Sequence, residues 1–424
     1  MAAGDRIGIA DKKTLDAVKA NTDGILKAVQ DADGSMKGKK VYGFKINKAD
    51  SNPATRISYV YDAVGLNPAK MNFSTGVFDY GDWADKWFVR DNYPCMVKYN
   101  GTEDYKLNPN DYTKKADGTA SDVANVNYGG NAMAAIPLIW MSQYTVGNYE
   151  YTLFSEERID ASFYADAHTR EDGTIADVIY LPMYRGSYDG TRLRSISGQQ
   201  PMHSQTATTE MARAKANGAG WNMKSWSQKN LMSHLLTLMT RNDNGQAAIG
   251  NGNLNYIADA SVPTHGVLLT GTLNDKGAFF GYNDNTHQVK AFHQEAPWAD
   301  QWERILGLVN VNGKVKAKMT PPYNLTGEGY DDTGVTMSGS SGGYIKDTET
   351  GRYGRIPQVI SGSATTYACD GGWFNNGIVA VALVGVSVQG SALSGPWAVT
   401  LDTSAVNRGW GVGASLSLIP PSVA

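Results

Sequence analysis

The stretch GIVAVALVGVSVQG (377–390), followed by GPWAVTLDTSAVNRGWGVGASLSLI (395–419), decides the fold. Both segments are rich in valine, leucine and isoleucine, and glycines divide them into short runs. Short runs of β-branched residues bounded by glycine are typical of β-strands. The end of the chain therefore predicts paired strands with a long loop between them.

The composition of the whole chain agrees with this pattern. The 424 residues include 47 glycines, 23 tyrosines and 10 tryptophans, and only 19% of the residues are charged. Glycine-rich, aromatic and charge-poor sequences are typical of folds with short strands and many turns, rather than of helix bundles. The length predicts more than one domain. We therefore expect a β-rich α+β protein.

Strand patterns continue towards the N-terminus. MAAIPLIWMSQYTV (133–146), VIYLPMYRG (178–186) and GVLLTGT (266–272) are candidate strands, and Asn312-Gly313 favours a two-residue hairpin turn. The segment 108–130 is rich in Asn, Asp and Gly, and it predicts a long exposed loop.

The clearest helical segment is SWSQKNLMSHLLTLMTRNDNG (225–245). Ser225 and Gln228 have the spacing of a capping box, in which each side chain bonds the other residue's backbone N–H. Apolar residues such as Leu231 and Leu235 recur on one face of this helix. His234 borders that face, and we interpret it as a packed structural histidine.

The first 36 residues have a different pattern. Apolar residues and one threonine are spaced by three and four positions, as in the seam of a coiled coil; they are Leu15, Val18, Thr22, Ile25 and Val29. The stripe predicts a short oligomerisation helix, followed by a hinge over residues 31–40. The alternative is a single amphipathic helix that packs on its own chain.

Charge and cysteine content exclude several classes of protein. The formal net charge is -3 and no large basic cluster occurs, so the sequence does not favour binding to nucleic acid or to anionic membranes. No apolar stretch reaches the ~18 residues of a membrane span, and the N-terminus lacks an apolar signal region. The two cysteines, Cys95 and Cys369, are too few for a disulfide scaffold. We expect synthesis and folding in a reducing cytoplasm.

No catalytic motif stands out. Residues 339–343 match G-x-S-x-G, but they lie in a Ser/Gly-rich segment that predicts neither a strand before the serine nor a helix after it. The six histidines lack metal-ligand spacing, and no pair of carboxylates is marked as general acid and base. The sequence predicts no enzyme, no metal and no cofactor.

Several blocks, in order along the chain, carry a resemblance. VYGFKI (41–46), CMVKYNG (95–101) and HLLTLMTRNDNGQAAIGNGN (234–253) are similar to phage tail-fibre and minor structural proteins. The ending CDGGWFNNG (369–377) and 395–418 resembles the variable-protein module of diversity-generating retroelements. That module has the formylglycine-generating-enzyme type of C-type lectin fold. The resemblance runs from about residue 41 to the C-terminus.

The resemblance implies a domain organisation. A short N-terminal coiled-coil helix (1–36) would provide oligomerisation and attachment to the virion, a β-rich domain would cover 41–185, and a C-type-lectin-like domain would cover 186–424. Three departures limit it. Ser415 stands where the family usually has arginine, which puts one buried ion pair in doubt but not the fold. Only Cys369 lies near the C-terminus, so formylglycine formation, which needs a pair of cysteines there, is not implied. The sugar-binding signatures of calcium-dependent lectins do not occur.

The resemblance also implies a displayed surface patch that is rich in aromatic and amide side chains, a composition that suits binding faces. The candidate receptor-binding residues are Tyr367, Asp370, Trp373, Asn375, Asn376, Ser387, Gln389, Ser391, Asn407 and Trp410. The expected function is that of a virion fibre or receptor-binding protein, a homotrimer whose N-terminus contacts other virion proteins. Its partner would be a host surface receptor, either glycan or protein.

Two other classes of function stay open. The chain could be a structural virion decoration or connector, on the head, tail or baseplate, that binds no receptor. It could instead be an enzyme of the formylglycine-oxidase or glycan-hydrolase type, which would need a metal or a convergent pair of carboxylates.

Overall fold

The computed structural model describes residues 38–337 and 339–422. Within these residues the chain is a β-rich α+β protein. It has four short helices and a helical content of about 10%. The prediction of a β-rich α+β fold is confirmed at this level. The predicted oligomerisation residues Leu15, Val18, Thr22, Ile25 and Val29 lie outside the described residues.

The helices are α1 (Trp87–Arg90), α2 (Ala207–Lys215), α3 (Trp226–Thr240) and α4 (Gly245–Ala248), and single 3-10 turns occur at Asp166–His168 and Ser391–Leu393. The strands, in chain order, are β1 (Tyr42–Asn47), β2 (Ile57–Tyr61), β3 (Lys70–Asn72), β4 (Val77–Asp79), β5 (Tyr93–Lys98), β6 (Glu103–Asn108), β7 (Asp111–Lys115), β8 (Gly130–Pro137), β9 (Trp140–Val146), β10 (Tyr149–Ser155), β11 (Val178–Pro182), β12 (Ser187–Tyr188), β13 (Leu193–Arg194), β14 (Trp221–Met223), β15 (Lys290–Ala291), β16 (Gln294–Glu295), β17 (Trp302–Val311), β18 (Lys314–Ala317), β19 (Asp331–Thr336), β20 (Ser340–Gly351), β21 (Gly354–Ile360), β22 (Gly371–Asn375), β23 (Val379–Val384), β24 (Val399–Leu401), β25 (Val412–Ala414) and β26 (Leu416–Leu418).

Most of these strands belong to three sheets. A four-stranded antiparallel sheet has the order β2-β1-β10-β9, and a seven-stranded sheet has the order β14-β26-β11-β8-β5-β6-β7. A nine-stranded sheet has the order β19-β18-β17-β23-β24-β22-β20-β21, with β25 parallel to β17. The C-terminal stretch thus forms strands as predicted, and its last strand, β26, leaves the nine-stranded sheet for the seven-stranded one.

The seven-stranded sheet combines strands from both sides of residue 185. Tyr180 in β11 pairs with Leu418 in β26, and β26 pairs in turn with β14. The largest hydrophobic cluster likewise packs Phe44 and Ile179 with Leu235 and Met239. One sheet and one core therefore contain residues from both predicted ranges, 41–185 and 186–424.

Helix α3 lies at the centre of the molecule. Its N-terminus has the predicted capping box: the Ser225 hydroxyl accepts from the Gln228 N–H, and the Gln228 side chain accepts from the Ser225 N–H. Every residue from Trp226 to Thr240 is buried, so the helix is covered on all faces. His234 is packed, as interpreted: its Nδ1 lies 2.8 Å from the Asn230 carbonyl oxygen, and its ring packs on Trp397.

The hairpin prediction at Asn312-Gly313 is also confirmed. The two residues have φ values of 50° and 91°, and they join the antiparallel strands β17 and β18. Positive φ at both central positions matches the twist of the flanking strands.

Two local predictions are wrong. The segment 108–130 is not one exposed loop, because it contains β7 and the fully buried Tyr112. The segment 266–272 forms no strand. Its backbone N–H groups are bound by side chains instead: Asp300 accepts from Leu268 at 3.0 Å, and Glu295 accepts from Gly271 at 2.5 Å.

Candidate functional site

A concavity of about 400 Å³ lies on the outer side of the nine-stranded sheet. It is formed by the start of β17, the centre of β22, single residues of β23, β24 and β25, the loop after β23, and the segment that follows β24. It is lined by Trp302, Trp373, Leu383, Val386, Ser387, Gln389, Gly390, Thr400, Asp402, Thr403, Asn407 and Val412.

Two half-buried tryptophans form its aromatic part. Strand alternation directs Phe374 into the core beneath the sheet and leaves its neighbour Trp373 on the outer face. The ring of Trp373 meets that of Trp302 edge to face, with ring centroids 5.3 Å apart and planes at 82°. This edge-to-face arrangement is a favoured geometry for aromatic pairs.

Two glycines seat the indole of Trp373 on the sheet. Gly342 is its cross-strand neighbour, and Gly371 precedes it by two residues on the same face. A Cβ atom at Gly342 would stand 2.2 Å from Cδ1 of Trp373, and one at Gly371 would stand 2.3 Å from its Cη2. The indole therefore lies across both glycines, and any larger residue at either position would push it away.

The loop after β23 has an unusual backbone. Val386 has φ of 73°, a conformation that β-branched residues rarely adopt and that costs on the order of 1–3 kcal/mol. The loop is fixed by a hydrogen bond from the Val388 N–H to the Asp300 carbonyl oxygen at 3.0 Å. Gly390 is required by close approach, because a Cβ there would stand 1.6 Å from Cγ1 of Val386. The rim of the concavity is thus preformed.

Amide and acidic side chains surround the tryptophans. The exposed side chains of Gln389 and Asn407 form no hydrogen bond with any other described residue. Asp402 is also exposed; its Oδ1 accepts from the hydroxyls of Thr400 and Thr403, whereas its Oδ2 has no partner in the described part of the chain. These groups offer both donors and acceptors to a ligand.

A buried ion pair supports the segment that carries Asn407. Arg304 and Glu210 form a salt bridge whose side chains are both fully buried. The same guanidinium donates through Nη2 to the backbone carbonyl of Asn407 at 3.0 Å. Helix α2 is thereby tied to the rim through Arg304.

The structure brings four of the predicted receptor-binding residues together at this concavity: Trp373, Ser387, Gln389 and Asn407. Among the other six, Asn376 and Ser391 are exposed, Asn375 and Tyr367 are half-buried, and none of the four lines it. Trp410 belongs to a separate aromatic cluster, in which it packs on His265 at 4.6 Å and on Tyr256 at 5.7 Å between ring centroids.

The prediction that Asp370 belongs to a displayed receptor-binding patch is wrong, because this residue does not reach the surface. Its side chain is fully buried, and its Oδ2 accepts from the Trp397 N–H at 2.6 Å. Burial raises the pKa of Asp370 well above its usual range. The residue closes the turn before β24 rather than facing a ligand.

Sequence reasoning missed Trp302, Asp402 and Thr403. Trp302 stands at the start of β17 in WADQWERILG, a segment whose pattern marked it only as a strand. Its exposure depends on pairing with β25, which lies more than 100 residues further along the chain. The run Leu401-Asp402-Thr403, where an apolar strand ends in polar residues, was the one local signal for the other two.

A second concavity, of about 450 Å³, lies beside β14. Arg170, Asp172, Lys215 and Tyr323 are among the residues that line it, so charges of both signs are mixed there. Nε of Arg170 already donates to the Pro420 carbonyl at 2.6 Å. Hydroxyl and carboxylate groups also meet in its lining, where the Ser422 hydroxyl hydrogen-bonds with the Asp172 carboxylate.

Several ionisable groups with strongly shifted pKa values are enclosed in the core. Burial would raise the pKa of Glu303, but Lys224 at 2.7 Å and Arg185 at 3.2 Å lower it to about 2. Burial lowers the pKa of His168, His234 and His293 to about 3 in each case. These groups are buried in the core, where they affect the stability of the fold.

Both cysteines are free and buried. Within 38–337 and 339–422, no group of three or more His, Cys, Asp or Glu side chains is placed to hold a metal ion. No helix in the same residues is long and apolar enough to cross a bilayer. Comparison of the chain with protein-family models and with curated proteins gave no match.

Proposed function

We propose that the chain is a phage virion fibre or receptor-binding protein, and that the concavity around Trp302 and Trp373 is its binding face for a host surface receptor. The single observation that carries the proposal is the preformed concavity, in which an aromatic pair is surrounded by unpaired amide groups. Rigid aromatics provide contact area at low entropic cost, and amides provide adaptable hydrogen bonds. We propose that this site binds a ligand without catalysing a reaction.

We further propose that residues 186–424 have a C-type-lectin-like fold and that residues 1–36 form a trimeric coiled coil attached to other virion proteins. The antiparallel pairing of β14 with β26, an early and the last strand of that range, supports the first point. The heptad spacing of Leu15, Val18 and Ile25 supports the second. Trimerisation would raise the avidity of one weak site by roughly 10²–10⁴. The protein would be made in the host cytoplasm and assembled into the particle.

A structural decoration or connector is the second candidate. Val406 is 73% exposed beside Asn407, and an apolar side chain at the rim would suit packing against another virion protein. The two candidates differ in whether the concavity is free on the particle.

The test is to label purified particles with an antibody against residues 360–424, to view them by electron microscopy and to measure adsorption in parallel. Label on projecting fibres, together with blocked adsorption, is the expected result. A hidden epitope, or bound antibody with normal adsorption, would favour the structural role instead. An antibody against residues 108–120, none of which lines the concavity, serves as the control for steric blocking.

A further inference from the structure

The lining of the concavity also specifies the chemistry of its ligand. Two features determine which kind of ligand fits: the tryptophan pair and the polar rim. Trp373 and Trp302 meet at 82°, so a ligand would contact the face of one ring and the edge of the other. The face of an aromatic ring carries negative charge and attracts the weakly positive C–H groups of a ligand.

A pyranose ring matches this arrangement. One of its faces presents aliphatic C–H groups, and hydroxyl groups surround its edge. The face would stack on an indole while the hydroxyls reach Gln389, Asn407 and the free Oδ2 of Asp402, which supply both donors and acceptors. A volume of about 400 Å³ lies in the range of roughly 300–1,000 Å³ that is usual for small-molecule sites.

The charge of the lining residues further limits the class of sugar that the concavity can bind. Asp402 is the one charged residue among those that line the concavity, and it is negative. A carboxylate in the ligand would be repelled by Asp402, and none of the described residues that line the concavity is a cation. The site therefore favours neutral sugars over uronic or sialic acids.

We infer that the concavity binds a neutral hexopyranose unit of a surface polysaccharide, stacked on Trp373 beside Trp302. This inference rests on the proposed receptor-binding function and names the class of its ligand. The site is preformed, because Gly342 and Gly371 fix the indole and the loop at Val386 is fixed by the Asp300 carbonyl. Preorganisation lowers the entropic cost of binding a small, polar ligand.

The probes for the test are immobilised glycans that end in glucose, galactose, mannose, rhamnose, N-acetylglucosamine, glucuronic acid or sialic acid. We expect the full-length protein to bind one or more of the neutral sugars. The free methyl glycoside of each bound sugar should then quench tryptophan fluorescence in a titration. Binding to the acidic sugars alone, or to none of the set, would overturn the inference.

Variants then locate the site. Trp373→Ala should raise the Kd for the bound glycoside by at least about tenfold, as expected for an aromatic anchor. Asn407→Ala, at an exposed position that does not endanger folding, should raise it about three- to tenfold. Trp410→Ala is the matched control, since that tryptophan lies in the separate cluster with His265. An unchanged Kd in both Trp373→Ala and Asn407→Ala, or a rise only in Trp410→Ala, would contradict the inference.

Binding to host cells separates this inference from the proposed function. Periodate cleaves the vicinal diols of sugars and leaves most protein receptors intact. Loss of binding of the labelled protein after periodate treatment supports a saccharide ligand. Equal binding to treated and untreated cells would overturn the inference of a saccharide ligand but would not contradict the receptor-binding function. No binding to untreated cells would overturn both.

Discussion

Single residues in this protein show how far burial, rather than residue type, decides function. Asp370 and Asp402 are both aspartates near the concavity, yet one is fully buried against the Trp397 N–H and the other is exposed at the rim. The composition of 367–376 predicted a displayed patch, and the structure places Trp373 of this segment, half-buried, on the outer face of the sheet. It could not separate Asp370 from its neighbours, because the partner of that carboxylate lies 27 residues away.

The buried histidines predict the response of the fold to acid. Burial lowers the pKa of His168 to about 3, below the value of about 6.5 expected in the unfolded chain. The unfolded state therefore binds one more proton than the folded state between these values, and stability is lost as the pH falls from about 6.5 towards 3. Between pH 5.5 and 4, each such histidine should lower the free energy of unfolding by about 1.4 kcal/mol per pH unit.

The variant His168→Phe tests this relation. Its free energy of unfolding should fall less steeply with decreasing pH, by about 1.4 kcal/mol per unit, than that of the wild type. Urea denaturation followed by tryptophan fluorescence at several pH values gives the slope. A slope for His168→Phe that equals that of the wild type would contradict the prediction.

Glu303 predicts a second effect at the residue scale. It compensates the charges of Lys224 and Arg185, and all three side chains are almost completely buried. Glu303→Gln would leave two buried cations without a counterion, and we expect a loss of about 3–5 kcal/mol in the free energy of unfolding. Asp104→Asn removes the partner of the half-exposed Lys98, and its cost should stay below about 1 kcal/mol. Equal costs for the two variants, measured by urea denaturation at pH 7, would exclude this role of Glu303.

At the scale of elements, local signals were reliable where the interactions are local. Helix α3 followed from its capping box, and the β17–β18 hairpin followed from Asn312-Gly313. The segment 266–272 failed for the opposite reason. Its N–H groups bond the carboxylates of Glu295 and Asp300, more than 20 residues away, so the strand that its apolar pattern predicts does not form.

The β17–β18 hairpin provides a prediction at this scale. Gly313 has φ of 91°, and a Cβ there would stand 2.9 Å from the Met337 carbonyl oxygen and 3.0 Å from Cβ of Asn376. Gly118 has a similar φ of 87° with open space around it. Gly118→Ala should cost about 1–2 kcal/mol for backbone strain alone, and Gly313→Ala should cost more. Thermal unfolding of the two variants compares their losses of stability. A smaller loss for Gly313→Ala than for Gly118→Ala would contradict the prediction and would show that the hairpin can shift to accommodate the Cβ atom.

At the scale of the whole molecule, the parts are joined by pairings that no local pattern encodes. The buried carboxylate of Asp243 accepts from Arg56 at 2.9 Å and from Arg355 at 2.5 and 2.8 Å, which links three distant segments of the chain. Burial alone would raise the pKa of Asp243, but the attraction of Arg355 and Arg56 lowers it. The sequence predicted strands in 377–390 and 395–419, but it revealed neither β22 as a strand nor which strands would be neighbours.

These pairings predict that the range 38–185 does not fold by itself. Without residues 186–424 the seven-stranded sheet loses β14 and β26, and the largest core loses the leucines of α3. Exposed apolar surface of this kind leads to aggregation or to a loosely packed state. We expect the isolated range to give a poorly dispersed amide NMR spectrum and no cooperative thermal transition.

Deletion of residues 1–36 is the matched comparison, because it removes the predicted coiled coil and leaves every described strand in place. That variant should keep the cooperative transition of the full chain and should be a monomer by light scattering, whereas the full chain should be a trimer. A well-dispersed spectrum for 38–185 would show that the shared sheet is not required for its folding. A variant that stays trimeric without residues 1–36 would move the oligomer interface into the β-rich part of the chain, and the concavity would then have to be free in that assembly to bind a receptor.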